Sequence, residues 1–398
     1  MKLRMLFVSP EFPFPPFSGG CLRTLSLLRY LVERFEIHFV TFAEIPPDPK
    51  ELQALRSLVA EVTILPLEVH HRAGVRRYAR NIVRALRFVP PLVDRFSEAG
   101  VRPAVVKLLE GNVDWIWLEH LWLAPYVTGI RHPRTTVLDV HNVESDFYRQ
   151  LRHVSRNPLE RLGYGIFEHA ASRIERQHLA AFDRILAVSP DDRELLARNC
   201  APEKIFIVPN AVELGPPPAA DGGPGHTLYF AGRLDYPPNR EAVGWFYQQV
   251  WPLVRKQFPE LRWNIVGACP ELLGEELLRD PQTVLAGSVE KTEPYLHPSS
   301  LVVVPLSFGG GTRFKILEAW SAGKAVVSTA KGAAGLAAAH GENIWLANKP
   351  DEFADAVVRL LSDPELRARL GRRGWETVKE RYSLECVDRS LDAALFSS

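Results

Sequence analysis

One stretch in the second half of the chain combines residue types that together suit a phosphate ligand. In SFGGGTRFKILEAWSAGKAVVS, an apolar strand ends in three glycines, the last of them Gly311, and a helix follows from about Thr312. Glycine lets backbone N–H groups approach an anion closely, and a helix N-terminus adds partial positive charge. Arg313 and Lys315 put two cations in the first turn, where the helix dipole disfavours them. This pattern indicates a negatively charged ligand, with Thr312 as the helix N-cap.

A carboxylate stands one helical turn beyond these cations. Glu318 shares a helix face with Gly311 and Lys315, at spacings of seven and three residues. A rise of ~1.5 Å per residue puts the carboxylate about 5 Å beyond the phosphate position, which suits a ribose diol. Glycines, cations and carboxylate together predict a site for a nucleoside diphosphate. An ordinary surface turn with first-turn ion pairs is the alternative that stays open.

Two histidines follow predicted strands in the first half of the chain. His141 comes directly after TTVLDV, and His120 ends the neighbouring WIWLE. Because parallel strands end at one edge of their sheet, where ligands bind, both side chains could face the same space. The alternative for each is a histidine that satisfies a loop carbonyl. We expect Glu119 and Glu144 to be solvated or helix-capping, although either could meet an acceptor hydroxyl.

The elements that position these residues alternate between short apolar runs and longer amphipathic segments. This alternation is typical of parallel sheets with crossover helices. The predicted strands are Leu3–Val8, Glu36–Thr41, Glu61–Leu65, Trp115–Leu118, Thr136–Val140, Arg184–Val188 and Lys204–Val208, then Thr227–Ala231, Arg262–Val266, Thr283–Leu285, Leu301–Val304 and Ala325–Ser328. Between the two series, Leu214 to His226 is rich in Pro, Gly and Ala, which predicts a linker.

The fold class that follows is α/β, with two Rossmann-like, doubly wound parallel-sheet domains facing a cleft. We assign residues 1–208 to the first domain and 209–380 to the second. Residues 381–398 form one more helix after the second domain is complete, and we expect it to cross back to the first domain.

Composition and missing motifs exclude several functions. The chain has 398 residues, and 48 Lys and Arg against 47 Asp and Glu give a net charge of +1, whereas a nucleic-acid binder needs a basic excess. No G-x-G-x-x-G follows the first strand, and there is no H-E-x-x-H or D-x-D pair. We therefore expect no nucleic acid, nicotinamide cofactor or metal. Four distant cysteines, with no signal peptide or spanning segment, predict a cytoplasmic protein.

Several motifs resemble the retaining glycosyltransferases with the GT-B fold, in the branch called glycosyl transferases group 1. The matching segments are VSPEFPFPPFSGG, DVHNVES, VSPDDRELL, IVPNAVE, FAGRLDYPPN and GGGTRFKILEAWSAGKAVVST. The resemblance implies that Arg233, Arg313 and Lys315 contact the donor diphosphate and that Glu318 holds the ribose. It also implies that His141 contacts the donor sugar near the scissile bond.

The site predicted from the motifs and the resemblance together has three groups of residues. The catalytic group is His141, Arg233 and Lys315, and His120 lies on the acceptor or sugar side. The donor-binding group is Gly19, Gly20, Arg233, Val289, Gly311, Thr312, Arg313, Lys315 and Glu318. In relatives the loop at Val289 binds the base largely through backbone groups, so the base cannot be read from the sequence.

Two positions depart from the family pattern. The first of the family's two glutamates falls on Gly310, which removes a carboxylate contact to the donor sugar. A lysine common six residues after the arginine of FAGRLD is replaced by Asn239. We infer that Lys315, with Arg313, compensates for the missing lysine.

The segment from Arg72 to Arg87 carries six arginines and no acid. Apolar residues such as Ile82 and Leu86 fall beside them on one helical face. Such a helix could lie on an anionic membrane, which predicts peripheral contact at the inner face of the membrane. The alternative is a core-packed helix with a solvated basic face.

The leading hypothesis is a bacterial, metal-independent hexosyltransferase of glycan biosynthesis. It would transfer a sugar from a nucleotide-sugar donor to a hydroxyl of a glycan, lipid-linked or small-molecule acceptor, with retention of the anomeric configuration. The second domain would hold the donor, and the first domain would hold the acceptor. Two alternatives stay open: a nucleotide-sugar epimerase of the same architecture, and a non-catalytic subunit of a glycosylation complex.

Overall fold

The computed structural model describes residues 2–16, 18–68, 75–96, 101–111, 113–128, 134–218, 227–311 and 313–396. The chain divides into two units. Unit 1 comprises residues 1–209 together with 388–398, and unit 2 comprises residues 210–387. The predicted linker has no helix or strand as far as residue 218, and residues 219–226 lie outside the described part.

Unit 1 is built on a seven-stranded sheet in the order β3-β2-β1-β4-β5-β6-β7, with every neighbouring pair parallel. Its strands are β1 (Leu3–Val8), β2 (Phe35–Ala43), β3 (Glu61–Pro66), β4 (Trp115–Glu119), β5 (Thr135–Val140), β6 (Arg184–Ala187) and β7 (Ile205–Ile207). On one face, Phe7 pairs in register with Phe39 and Trp117, and the three rings stack with centroids 5.3 and 5.6 Å apart. These buried aromatic pairs fix the register of the central strands.

Unit 2 repeats the design with a six-stranded parallel sheet in the order β10-β9-β8-β11-β12-β13. Its strands are β8 (Thr227–Ala231), β9 (Arg262–Val266), β10 (Thr283–Gly287), β11 (Leu301–Val304), β12 (Val326–Ser328) and β13 (Trp345–Leu346). Strand β11 is buried along its whole length, as expected for the centre of a parallel sheet. The predicted fold class, two doubly wound parallel-sheet domains, is confirmed. The sequence did not predict β13, which is only two residues long.

Helices connect the strands in both units. In unit 1 they are α1 (Gly19–Leu31), α2 (Pro49–Leu58), α3 (Val75–Leu86), α4 (Pro91–Phe96), α5 (Val101–Leu109), α6 (Ala124–Val127), α7 (Glu144–Val154), α8 (Pro158–His178) and α9 (Pro190–Leu196). Those that follow are α10 (Pro237–Trp245), α11 (Trp251–Arg255), α12 (Glu275–Arg279), α13 (Glu293–Leu296), α14 (Phe314–Ser321), α15 (Pro350–Ser362), α16 (Pro364–Arg381) and α17 (Leu384–Phe396). A π-helical turn, Phe246–Val250, separates α10 from α11.

The last helix, α17, packs on unit 1 although the chain reaches it from unit 2. Arg29 of α1 donates to both carboxylate oxygens of Asp388, at 2.8 and 2.9 Å. Tyr30 donates to the carboxylate of Asp392, and the ring of Phe396 stacks on that of Phe35 with centroids 6.2 Å apart. Polar and aromatic contacts therefore both attach the C-terminus to unit 1.

Helix α3 exposes apolar side chains to solvent and buries an arginine, the reverse of what a core-packed helix does. Its exposed residues include Ile82, Val83 and Leu86, and the side chain of Leu86 is 75% exposed. Arg84, by contrast, is buried, and its Nε donates to Asp94 at 2.7 Å. The interpretation of α3 as a core helix with a solvated basic face is therefore wrong for its described side chains. Residues 72–74, and the side chains of 75–78, lie outside the described part.

Candidate functional site

Both sheets have a point at which the direction of winding reverses. In unit 1 this point lies between β1 and β4, and in unit 2 it lies between β8 and β11. Open parallel sheets bind their ligands outside the carboxyl ends of the strands at such points. Polar side chains collect there in each unit. The group in unit 1 is the histidine cluster (Arg23, Thr24, Glu119, His120, Asp139 and His141). The group in unit 2 is the lysine cluster (Arg233, Asn239, Lys315 and Glu318).

The histidine cluster is organised around one buried ion pair. Asp139, on β5, accepts from Arg23 on α1, with Nε at 2.9 and 3.1 Å from the two carboxylate oxygens. His141 Nε2 lies 3.0 Å from Asp139 Oδ2 and 3.6 Å from Glu119 Oε1. Glu119 in turn accepts from the hydroxyl of Thr24 at 2.8 Å. Helix α1 and the ends of β4 and β5 thus fix the imidazole of His141 from one side.

These contacts set the charge of His141. Burial by itself would lower its pKa, but the charge of the Asp139 carboxylate and the hydrogen bonds that the imidazole donates to Asp139 and Glu119 outweigh burial and raise the pKa to about 9. Burial likewise raises the pKa of Asp139, yet Arg23 and His141 outweigh it and hold that pKa well below its usual range. The imidazole is therefore a cation at neutral pH, as expected for a group that gains a carboxylate partner.

His120 is held in the opposite charge state. Its ring lies 4.0 Å from the ring of His141 and stacks on Trp122 at 4.1 Å, measured between centroids. Burial, followed by the charge of His141, lowers its pKa well below the usual value. The structure thus brings together the two histidines named from the sequence, one neutral and one charged. Both follow the carboxyl ends of neighbouring strands.

The glycine pair after β1 lies in the first turn of a helix rather than in a loop. Helix α1 begins at Gly19, and the hydroxyl of Ser18 caps it by accepting from Cys21 N. A Cβ on Gly20 would lie 3.3 Å from Glu11 Oε2 and 3.8 Å from His141 Nδ1. The second ring nitrogen of His141 therefore faces the start of α1, where a helix N-terminus favours an anion.

Glu119, Asp139 and His141 could in principle hold a metal ion, because their ligand atoms lie within 4.8 Å of one another. Arg23 already supplies a full positive charge to Asp139, and Thr24 donates to Glu119. A divalent ion would add charge directly beside Arg23 at high electrostatic cost. The donor set fits an ion-pair network better than a metal site.

In unit 2, Arg233 and Lys315 lie at the carboxyl ends of β8 and β11. Arg233 makes a two-pronged ion pair with Asp235, with its Nη2 2.6 Å from Oδ2, and its side chain is 43% exposed. Lys315 Nζ donates to Asn239 Oδ1 at 2.6 Å and lies 4.5 Å from the centroid of the Phe230 ring. Burial, followed by the charge of Arg313, lowers the pKa of Lys315 to about 7.

The first residue of α14 differs from the sequence-based prediction. The helix starts at Phe314, with Arg313 as the flanking residue, and Thr312 lies outside the described part, so its predicted capping role is not seen. The guanidinium of Arg313 is buried and donates to the carbonyl oxygens of Gly310 and Gly311. Arg313 therefore braces the glycine loop.

Glu318 and Val289 complete the predicted donor residues. Glu318 lies one turn beyond Lys315 on α14, and burial raises its pKa to about 7 although Lys315 opposes the shift. Val289 packs partly buried against the core of unit 2 in the loop after β10. The helix face predicted from the spacing of Lys315 and Glu318 thus exists, and its two charges influence each other.

Sequence reasoning missed the partners that orient these groups. Glu119 and Glu144 are both buried, so the expectation that they are solvated is wrong. Arg23 and Asp139 were not singled out at all. One signal was available: an aspartate inside the apolar strand TTVLDV needs a cation, because a buried charge is tolerated only when it is paired. The sequence does not say which arginine supplies it.

A family model for glycosyl transferases group 1 matches residues 225–363, which lie within unit 2. This range includes β8, β11 and α14, and hence the whole lysine cluster. Residues 225–363 form a glycosyl transferases group 1 domain. The resemblance to glycosyl transferases group 1 is therefore confirmed for these residues.

Comparisons over the whole chain show its fold. An uncharacterized 44.6 kDa protein in the cps region of Klebsiella pneumoniae is 24% identical, with 98% of each chain covered. HepE of Anabaena, solved in complex with UDP, is 14% identical with a TM-score of 0.67 and 99% of each chain covered. Sucrose-phosphate synthase of Thermosynechococcus elongatus is 15% identical with a TM-score of 0.72, covering 98% of this chain and 97% of that one. These likenesses show the fold, that of GT-B glycosyltransferases.

The buried ion pair in unit 1 predicts a large effect of Asp139→Asn. Removing one partner of a buried pair leaves Arg23 without its anion and His141 with Glu119 alone, and we expect a loss of about 3–5 kcal/mol in the free energy of unfolding by urea. The pKa of His141 should also fall, as measured by NMR. Because that pKa is raised from 6.5 to about 9, its stabilisation is present below pH 6.5 and is lost as pH rises through about 9.

Asp388→Asn is the matched control for this experiment. It breaks an Arg–Asp pair in the same unit whose side chains are 43% and 28% exposed. We expect it to cost less than about 1 kcal/mol and to leave the His141 titration unchanged. Equal losses for the two variants would contradict a special role of the buried pair.

Proposed function

We propose that this protein transfers a sugar from a nucleotide-sugar donor to an acceptor hydroxyl, with retention at the anomeric carbon and without a metal ion. The observation that carries the proposal is the lysine cluster. Arg233 and Lys315 lie at the carboxyl ends of the two central strands of a glycosyl transferases group 1 domain, and Glu318 lies one turn further along α14. Two cations and a carboxylate one helical turn apart suit a diphosphate and a ribose diol.

The chemistry needs charge stabilisation more than a protein nucleophile. In the proposed step, the bond between the anomeric carbon and the diphosphate oxygen breaks while the acceptor oxygen bonds to that carbon from the same face. The acceptor proton passes to the departing phosphate oxygen. Arg233 and Lys315 would stabilise the charge that develops on the diphosphate, and fixed charges of this kind give a large part of enzymatic rate enhancement. His141 would hold the sugar through Nδ1–H.

Similar proteins guide the choice of donor and acceptor. HepE was solved with UDP and also with UDP-glucose, and S. aureus TarM was solved with UDP and alpha-GlcNAc-glycerol. We therefore propose a UDP-sugar as the first donor to test. The relative in a cps region supports a glycan or lipid-linked glycan as the acceptor. A UDP-sugar incubated alone in the same assay separates a transferase from an epimerase, because only an epimerase would convert the donor without an acceptor.

Variants of the lysine cluster test the assignment of the donor site. We expect Lys315→Ala to lower kcat roughly 100-fold, as for loss of one charge-stabilising donor. Glu318→Ala should mainly weaken binding of the nucleoside diphosphate in calorimetry. Lys349→Ala, which removes an exposed lysine of the same unit, should change neither quantity. Activity of Lys315→Ala equal to that of Lys349→Ala would refute the proposed role.

The anomeric outcome and the metal requirement can be read from one reaction. With an α-linked nucleotide sugar we expect an α-linked product, identified by its proton coupling constant in NMR. A chelator should leave the initial rate within about twofold, because the cations that stabilise the leaving group belong to the protein. A β-linked product, or a rate abolished by the chelator and restored by a divalent ion, would overturn that part of the proposal.

We also propose that the protein is cytoplasmic and contacts the inner face of the membrane through the segment Arg72–Arg87. Among the helices that the structure describes, none is both long and apolar enough to span a bilayer. Three cysteines, Cys21, Cys200 and Cys269, carry free thiols, which suits a reducing compartment. Ile82, Val83 and Leu86 form an exposed apolar stripe on α3 within a segment rich in arginine, the combination that favours an anionic interface.

Liposome flotation tests the membrane proposal. We expect the protein to float with vesicles that contain an anionic lipid, and the double variant Ile82→Ser with Leu86→Ser to remain at the bottom because the apolar contact is lost. Leu278→Ser, which changes an exposed leucine of unit 2, is the control and should float like the wild type. If the wild-type protein binds neither anionic nor neutral vesicles at low salt, the proposal is wrong.

A further inference from the structure

The side chain of Asn239 connects two residues of the lysine cluster. Asn239 lies in the first turn of α10 and is buried. Its Nδ2 donates to the carbonyl oxygen of Arg233 at 2.8 Å, and its Oδ1 accepts from Lys315 Nζ at 2.6 Å. The chemistry of both partners fixes the orientation of the amide, because a carbonyl oxygen can only accept and an ammonium can only donate.

The surroundings of Lys315 leave it dependent on this amide. Among the residues that the structure describes, no carboxylate forms an ion pair with its ammonium, and Asn239 Oδ1 is its hydrogen-bond acceptor beside the face of Phe230. The more distant charges of Arg313 and Glu318 act on it in opposite directions. Gly232 allows this close packing, since a Cβ there would lie 2.6 Å from Asn239 Nδ2 and 3.0 Å from Lys315 Nζ. The half-buried ammonium therefore has a neutral partner that fixes its position without cancelling its charge.

We propose that Asn239 is a positioning residue that aims Lys315 at the diphosphate of the donor and favours the protonated form of its amine. This inference rests on the proposed function. An aspartate at the same place would neutralise the ammonium, and an alanine would leave it without an acceptor. An amide does neither, so the remaining ammonium protons stay available to an anionic ligand. The contact to Arg233 O ties the same amide to the loop that carries the second cation.

The exchange of charge between positions 239 and 315 explains one of the two departures from the family pattern, the asparagine that replaces the common lysine at position 239. A lysine in place of Asn239 would put a second ammonium beside Lys315, about one hydrogen-bond length away, and like charges at this distance repel. The pair therefore accommodates one lysine, and in this chain it stands at position 315. The asparagine is thus part of the donor site rather than an ordinary loop residue.

The titration of Lys315 tests this inference without any need for activity. In the ligand-free protein, with lysine side chains labelled for NMR, we expect Asn239→Ala to lower the pKa of Lys315 and Asn239→Asp to raise it. The removed acceptor stabilised the ammonium, and a carboxylate stabilises it further. The high-pH limb of kcat/KM for transfer should move in the same two directions. Asn239→Ala should also lower kcat/KM about 10-fold at neutral pH, as for loss of a hydrogen bond to a charged group.

Asn343→Ala is the matched control. Asn343 is a buried asparagine of unit 2 that bridges backbone groups of Ala337 and Ala339, and it has no contact with Lys315. Its replacement should lower the Tm but leave the Lys315 titration unchanged. If both Asn239 variants shift that titration in the same direction, or no more than Asn343→Ala does, the inference is wrong. Absence of transfer and nucleotide binding in the wild-type protein would instead contradict the proposed function.

An exchange variant gives an independent readout. Lys315→Asn and Asn239→Lys should each be impaired, whereas the double variant should recover at least about 10-fold over Lys315→Asn, because contacting residues are not additive. If the transfer activity of the double variant is equal to or lower than that of the less active single variant, the two positions are not coupled as proposed.

Discussion

Parallel strands all end at the same edge of their sheet, and both units depend on this constraint for their polar clusters. Residues far apart in sequence, such as Arg233 and Lys315, become neighbours because the strands before them are adjacent at the centre of one sheet. The reversal of winding at that point keeps a crossover helix from covering the strand ends. Each unit therefore exposes loop residues where its strands are most rigidly held. The chemistry of each cluster follows from which side chains those loops carry.

Burial then decides the charge of each group in these clusters. His120 and His141 differ in charge although their rings are in contact. The Asp139 carboxylate accepts a hydrogen bond from His141 and raises its pKa, whereas burial lowers the pKa of His120. In unit 2, Lys315 and Glu318 both shift toward neutral pH since each is partly removed from water. A negatively charged ligand beside Lys315 would reverse its shift and favour the ammonium. Binding of such a ligand in unit 2 would thus be coupled to protonation of Lys315.

The sequence predicted most strands to within about two residues and the helix face that joins Lys315 to Glu318. These features are local, since an apolar run of five or six residues or a spacing of three can be read directly. Partners separated along the chain could not be read. Arg23 lies 116 residues from Asp139, and Asn239 lies 76 residues from Lys315. Helix α14 also starts two residues later than predicted. The three glycines before it can adopt many backbone conformations, so the sequence does not define where the helix begins.

Helix α17 gives unit 1 a discontinuous sequence, whereas unit 2 is one continuous segment. During synthesis the seven strands of unit 1 leave the ribosome first, but its last helix follows only after all of unit 2 has been made. Domains generally fold in the order of their synthesis. The surface around Phe35 and Tyr30 therefore stays uncovered by α17 until unit 2 has been synthesised. Completion of unit 1 thus requires that the sequence of unit 2 has already been translated.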